Sequence, residues 1–147
     1  MTATETLGRA ESAKTENFDV LIVGAGISGV GGAYHLTKQR PGTSFVVLEG
    51  LDSFGGTWWM HRYPGIRSDS DLYTFGYRFK PWTGAPIATA EEILKYMGEV
   101  ISENGLAPHI RYQHKINTAQ WFEVMEAAHG VGFNTTATIM YGHIEQT

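Results

Sequence analysis

At 147 residues the chain is long enough for one domain with its own core. Hydrophobic residues at 42% and charged residues at 18% place it among globular rather than disordered proteins. A net charge of −4 gives no basis for nucleic acid or an anionic membrane as partner. No run of about 18 apolar residues is available to cross a bilayer, and the absence of cysteine excludes disulfides, thiolate-held clusters and cysteine nucleophiles.

Residues 1–16 read as a flexible leader rich in Thr, Glu, Ala and Ser, without the apolar middle of a signal peptide. A cytoplasmic protein is the expectation. Phe18 to Glu49 then reads FDVLIVGAGISGVGGAYHLTKQRPGTSFVVLE. The apolar run Val20–Val23 predicts a strand that meets a glycine cluster, Gly24, Gly26 and Gly29. A helix follows to about Arg40 and is broken by Pro41-Gly42. A second apolar run, Phe45–Leu48, ends on Glu49. Strand, tight turn, helix, strand and terminal acid make a dinucleotide-binding unit. Gly24 permits the turn, Gly26 lets a pyrophosphate approach the backbone, and Gly29 lets helix and strand pack closely. The helix start offers free N–H groups and a positive dipole end to phosphate. Glu49, 20 residues beyond Gly29, stands where a carboxylate accepts hydrogen bonds from ribose hydroxyls. The fold class is therefore α/β and Rossmann-like, a parallel sheet with flanking helices, and its expected ligand is an adenine dinucleotide.

Residues 50–88 are rich in Gly, Pro, Trp and Tyr and suit a long aromatic-lined loop with short helical pieces. At Thr89 the pattern turns helical. Thr89 caps, Glu91 and Glu92 suit the first turn, Ile93, Met97, Val100 and Ile101 mark an apolar face, and Asn104-Gly105 stops it. His109–Ile116 (HIRYQHKI) alternates as a strand. WFEVMEAAHGVGF, from Trp121, reads as an amphipathic helix ending near Gly130, and TTATIMY as a β-prone run.

Phe54 to Trp82 reads FGGTWWMHRYPGIRSDSDLYTFGYRFKPW. This segment closely resembles the flavin-dependent Baeyer–Villiger monooxygenases, particularly the ethionamide-activating type, whose hallmark is a GGTW…RYPGIRSDSD…PW run. The resemblance covers about residues 17–121. It implies tightly bound FAD, NADPH as hydride donor, and oxygenation of ketones or of sulfur or nitrogen centres. Carried onto this sequence, it implies Gly24, Gly26, Ser28 and Gly29 at the FAD pyrophosphate and Glu49 at the ribose. It puts Thr57, Trp58, Trp59 and Met60 along the FAD, Arg67, Ser68 and Asp69 beside flavin and nicotinamide, and Ile116 near the adenine. No catalytic residue and no metal ligand is assigned.

A flat isoalloxazine needs apolar and aromatic walls with a few polar groups aimed at its edge, which this composition provides. Simpler readings stand beside it. Trp58, Trp59, Tyr63 and Trp82 suit plain core aromatics, Asp69 and Asp71 suit helix caps, and Arg62 and Arg67 suit surface ion pairs. His61, His109 and His114 lack metal-ligand spacing with a carboxylate and read as structural.

Within these 147 residues no second GxGxx(G/A) turn follows Gly29 in a strand–helix context, and neither the family's FxGxxxHxxxW(P/D) fingerprint nor its downstream arginine is found. The expectation is an FAD-binding segment, residues 17–121, that does not oxygenate by itself. A stand-alone FAD-binding module and a non-functional fusion fragment are the alternatives. Residues 122–147 depart from the pattern. VMEAAHGVGFNTTATIMYGHIE resembles a segment of radical-SAM enzymes of deazaflavin or futalosine-route biosynthesis, whose chemistry needs a three-cysteine motif that this chain lacks. A fusion or rearrangement near Trp121 is the simplest account of the change, a divergent helix and strand packed on the nucleotide unit is the alternative, and loose packing of residues 123–147 is expected.

Overall fold

The computed structural model describes residues 16–116 together with residues 119, 120, 122, 123, 126 and 130. Strand β1 (Val20–Val23) leads through a glycine turn into helix α1 (Ile27–Gln39), and β2 (Phe45–Leu48) follows. Two four-residue helices, α2 (Thr57–Met60) and α3 (Leu72–Phe75), interrupt the long connection to α4 (Ala90–Glu103). A 3₁₀ turn (Ala107–His109) then enters β3 (Ile110–Arg111).

The three strands form one parallel sheet in the order β1-β2-β3. Val20 pairs with Phe45 and Val23 with Leu48, while Val47 and Leu48 pair with Ile110 and Arg111. The strand–helix–strand reading of residues 17–50 is therefore the observed one. Its start is clamped by Asp19, whose Oδ2 accepts from the Ser44 backbone N–H at 2.8 Å and from its hydroxyl at 2.6 Å. Those bonds hold the Asp19 carboxyl below its ordinary range. The central strand β2 is the most buried, with Phe45, Val46 and Val47 nearly inaccessible, as expected for a strand covered on both faces. On β1 the exposure alternates: Leu21 and Val23 are exposed, while Ile22 reaches the glycines of α1.

Helix α4 matches its sequence signals closely. Thr89 accepts from the Glu92 N–H, and the Glu92 carboxylate accepts from the Thr89 N–H at 2.8 Å, a complete capping box. Those bonds hold the Glu92 carboxyl below its ordinary range, with a smaller contribution from Arg67. Ile93, Met97, Val100 and Ile101 are buried, joined on the same side by Tyr96. They meet Ala25, Val30 and Ala33 of the turn and α1, and Phe45 and Val47 of β2, in one core.

The predicted strand over residues 109–116 is shorter than its alternation implies. Ladder pairing covers only Ile110–Arg111, because the backbone turns at Gln113, which holds a left-handed φ of 61°. Beyond the turn the chain bonds again: the Gln113 N–H donates to Leu51 O and the His114 N–H to Glu49 O, each at 2.9 Å. His109 stacks on Phe45 with ring centroids 4.1 Å apart, a packing role. The β-prone run TTATIMY and most of the segment from Trp121 lie outside the described residues. Among the described residues no helix is long and apolar enough to cross a membrane.

Candidate functional site

The C-terminal ends of β1 and β2 are brought together by the glycine turn. Gly24 holds φ +90°, which L side chains rarely adopt, and its N–H donates to Leu48 O at 2.8 Å. A Cβ placed at Gly29 would lie 1.9 Å from the Gly24 carbonyl oxygen, so the first turn of α1 presses directly on the end of β1. Gly26 differs. Its φ of −73° is open to any residue, and an added Cβ would meet only the Gly56 Cα, at 3.8 Å. The fold requires glycine at 24 and 29 and leaves position 26 unexplained. Ile27, Ser28 and Gly29 are the first residues of α1, whose N–H groups have no intrahelical acceptor.

Glu49 is 6% exposed and closes the turn from the neighbouring strand. Its Oε2 accepts from the Ala25 N–H at 2.7 Å and its Oε1 from the Leu51 N–H at 2.8 Å. Its spacing from the glycines points only to a ribose. The geometry adds a second task, fastening the glycine turn to the end of β2. Each oxygen retains acceptor capacity after one bond. Tyr112 lies close by, and burial, then the Glu49 charge, raises its phenol above the ordinary range.

Beside this turn sits a second glycine pair. The Gly55 N–H donates to Ala25 O at 2.9 Å, and a Cβ at Gly56 would approach the Gly26 Cα to 3.2 Å. Gly55, at φ +121°, has no room either: an added Cβ would lie 2.3 Å from Leu94 Cδ2. The two backbones therefore touch without intervening side chains. The residues Gly55-Gly56 before Thr57 carried this signal in the sequence, but their contact with the first turn is visible only in three dimensions.

The aromatic loop is fastened piece by piece. Trp59 Nε1 donates to Asp52 Oδ1 at 2.8 Å, and the Arg62 guanidinium lies 3.9 Å over the Trp59 ring. Arg62 thus stacks rather than joining a surface ion pair. Trp58 meets Phe75 edge-on and lines a groove of ≈ 630 Å³ with Arg62, Tyr63, Ile66, Thr89 and Leu94. Thr57 and Met60 are exposed at the two ends of α2. Arg67 pairs antiparallel with Thr89, and the buried Ser68 is bonded twice to Ala88, through its N–H at 2.9 Å and its hydroxyl at 3.1 Å. Asp71, rather than Asp69, caps α3 by accepting from the Thr74 N–H at 2.9 Å. Asp69 is exposed and accepts from the Ser70 hydroxyl. Ile116 is half-buried, two residues past the His114–Glu49 bond.

The structure brings some of the expected residues together and leaves others apart. Gly24, Gly26, Ser28, Gly29 and Glu49 share one edge of the sheet. Trp58 faces the groove between α2 and α4, Arg67 and Ser68 are tied to the start of α4, and Asp69 lines neither feature.

Residues 22–85 match the family described as NAD(P)-binding Rossmann-like domain. The FAD-containing monooxygenase EthA of Mycobacterium tuberculosis is 53% identical over 108 residues, 73% of this chain and 22% of that protein. An oxidised steroid monooxygenase solved bound to NADP shares the fold over 65% of this chain and 19% of its own, with a TM-score of 0.60 and 32% identity. A structure of OTEMO in complex with FAD and NADP aligns over 71% and 20%, with a TM-score of 0.61 and 26% identity. The chain spans about a fifth of the length of these relatives. Over the matched residues the chain has a Rossmann-like fold and is similar to a part of FAD-containing monooxygenases.

Proposed function

We propose that residues 17–121 bind FAD, as the cofactor-holding segment of an NADPH-dependent monooxygenase that oxygenates ketones or sulfur or nitrogen centres. One observation carries the reading. Gly24 and Gly29 are demanded by the fold, but a Cβ added at Gly26 would meet no protein atom closer than 3.8 Å, so close approach of a ligand is what its missing side chain serves. Ser28 and Gly29 at the start of α1 then donate backbone N–H groups to the diphosphate. Glu49 uses its remaining lone pairs for the ribose hydroxyls. A buried carboxylate at this position repels a 2′-phosphate, which favours FAD over NADPH in this turn. Thr57, Trp58, Trp59 and Met60 continue along the cofactor, Arg67, Ser68 and Asp69 stand toward the flavin, and Ile116 toward the adenine. Bound FAD supplies a two-electron carrier that reacts with oxygen once reduced. A cytoplasmic location goes with this reading.

Titrating the 147-residue chain with FAD while following the visible flavin spectrum and fluorescence tests it. Saturable 1:1 binding with a perturbed spectrum is expected, together with weak displacement by NADPH. Unperturbed flavin at saturating protein contradicts the reading. The same flavin-loaded chain, given NADPH, oxygen and a panel of ketones and sulfides, is expected to form no ester or sulfoxide, because nucleotide positioning at a second site supplies much of the rate.

A further inference from the structure

The loop after α3 reaches back to the start of α1. The Tyr77 hydroxyl donates to the Ile27 carbonyl at 2.7 Å, across 50 positions of sequence. The Tyr77 backbone N–H donates in turn to the Tyr96 hydroxyl at 2.7 Å, and Tyr96 donates to Lys80 O. Room for the Tyr77 ring comes from Gly31, where a Cβ would lie 3.0 Å from Tyr77 Cε1. The ring stacks on Phe79 and Tyr96, with centroids 4.8 and 5.5 Å away. A chain of side-chain bonds therefore runs from the buried face of α4 to the first turn of the glycine-rich helix.

The Ile27 carbonyl shares its peptide unit with the Ser28 N–H. A donor on that carbonyl fixes the plane of the peptide and increases the polarity of the N–H at its other end. We infer that Tyr77 is a positioning residue for the cofactor: by binding the Ile27 carbonyl it orients the Ser28 N–H and makes it a better phosphate donor. The inference rests on the dinucleotide reading above. Burial, and secondarily Tyr96, pushes the Tyr77 phenol far above its ordinary range, so it remains a protonated donor at any working pH.

Tyr77→Phe removes the hydroxyl and keeps the ring stack. Three readouts on the full chain decide the matter: FAD affinity by fluorescence titration, thermal midpoint, and amide hydrogen exchange by NMR. The Val30 N–H bonds to Gly26 O at 3.0 Å, so its exchange reports on the first turn of α1. In Y77F we expect exchange at Val30 and Gly31 to quicken about three- to tenfold and FAD affinity to fall by about the same factor, the scale of one lost hydrogen bond. Exchange at Met97 to Ile101 should not change. Gly31→Ala, which displaces the ring while keeping the hydroxyl, should act in the same direction. Unchanged FAD affinity in Y77F, or equal acceleration in α1 and α4, overturns the inference and leaves Tyr77 a packing residue. Failure of the unsubstituted chain to bind FAD overturns the functional reading itself, and the positioning role falls with it.

Discussion

The glycine turn and the aromatic loop sit side by side, yet they are held by different forces. At the turn, backbone meets backbone: Gly29 against the Gly24 carbonyl, Gly56 against Gly26, and both oxygens of Glu49 on main-chain N–H groups. Side-chain bonds spaced along the sequence hold the loop: Trp59 on Asp52, Tyr77 on Ile27, and Lys80 on Glu99 and Glu103 at 3.3 and 2.7 Å. Where the gap is closed, as at Gly29, such a contact has no room for a methyl group, because nothing in it can rotate away. A side-chain bond is lost singly, with a modest and local cost. The turn is therefore the brittle region and the loop the adjustable one.

The sharpest way to break this contrast is Gly29→Ala. Its methyl would sit 1.9 Å from Gly24 O, where only a shift of α1 off β1 relieves the clash. A loss of about 3 kcal/mol or more in urea unfolding is expected, with FAD binding lost as well. Gly55→Ala meets the flexible end of Leu94 but must also hold φ +121°. About 2 kcal/mol is expected from backbone strain and repacking. If G55A destabilises as much as G29A, the loop's glycine pair is as rigid as the turn and the contrast fails.

Glu49→Ala leaves the Ala25 and Leu51 N–H groups without their acceptor. It should lower stability and FAD affinity by about 1–3 kcal/mol each, measured by urea unfolding and flavin quenching. A loss of affinity alone would mean that the fastening role of Glu49 is slight. The smallest change is at the start of α4. Thr89→Ala removes half of the capping box and should cost about 1 kcal/mol at neutral pH. Because Glu92 has its folded pKa lowered, the stability it adds is present above the ordinary glutamate value of 4.5 and is lost as pH falls through the folded value. T89A keeps the backbone N–H bond to Glu92 and loses only the hydroxyl's, so the gap between its unfolding midpoint and that of the unsubstituted chain should narrow in part on acidification. A constant gap from pH 7 to pH 3 would show that the hydroxyl's bond carries no such linkage.

The same division explains what could be read from the residues beforehand. Glycine spacing, β1, α1, β2 and the cap and apolar face of α4 are local patterns, and each was legible from neighbouring residues. The Gln113 turn was not, because alternation in HIRYQHKI gives no sign that the backbone turns left-handed there. Asp69 and Asp71 are equivalent in the SDSD run, and only the position of α3 makes Asp71 the cap. The Tyr77–Ile27 bond and the contact of Gly55-Gly56 with the glycine turn join residues far apart in sequence, so nothing local announces them.

Gly26→Ala separates the fold's needs from the ligand's. Position 26 holds an ordinary φ of −73° and its nearest obstacle is 3.8 Å away, so the protein itself tolerates a methyl group. Thermal midpoint and FAD dissociation constant should be measured on the same preparation. A stability change within about 0.5 kcal/mol is expected, as for a substitution free of clashes, with FAD affinity at least about tenfold weaker, since the methyl occupies the approach to the diphosphate. Unchanged FAD affinity in a stable G26A chain would contradict the FAD-binding reading.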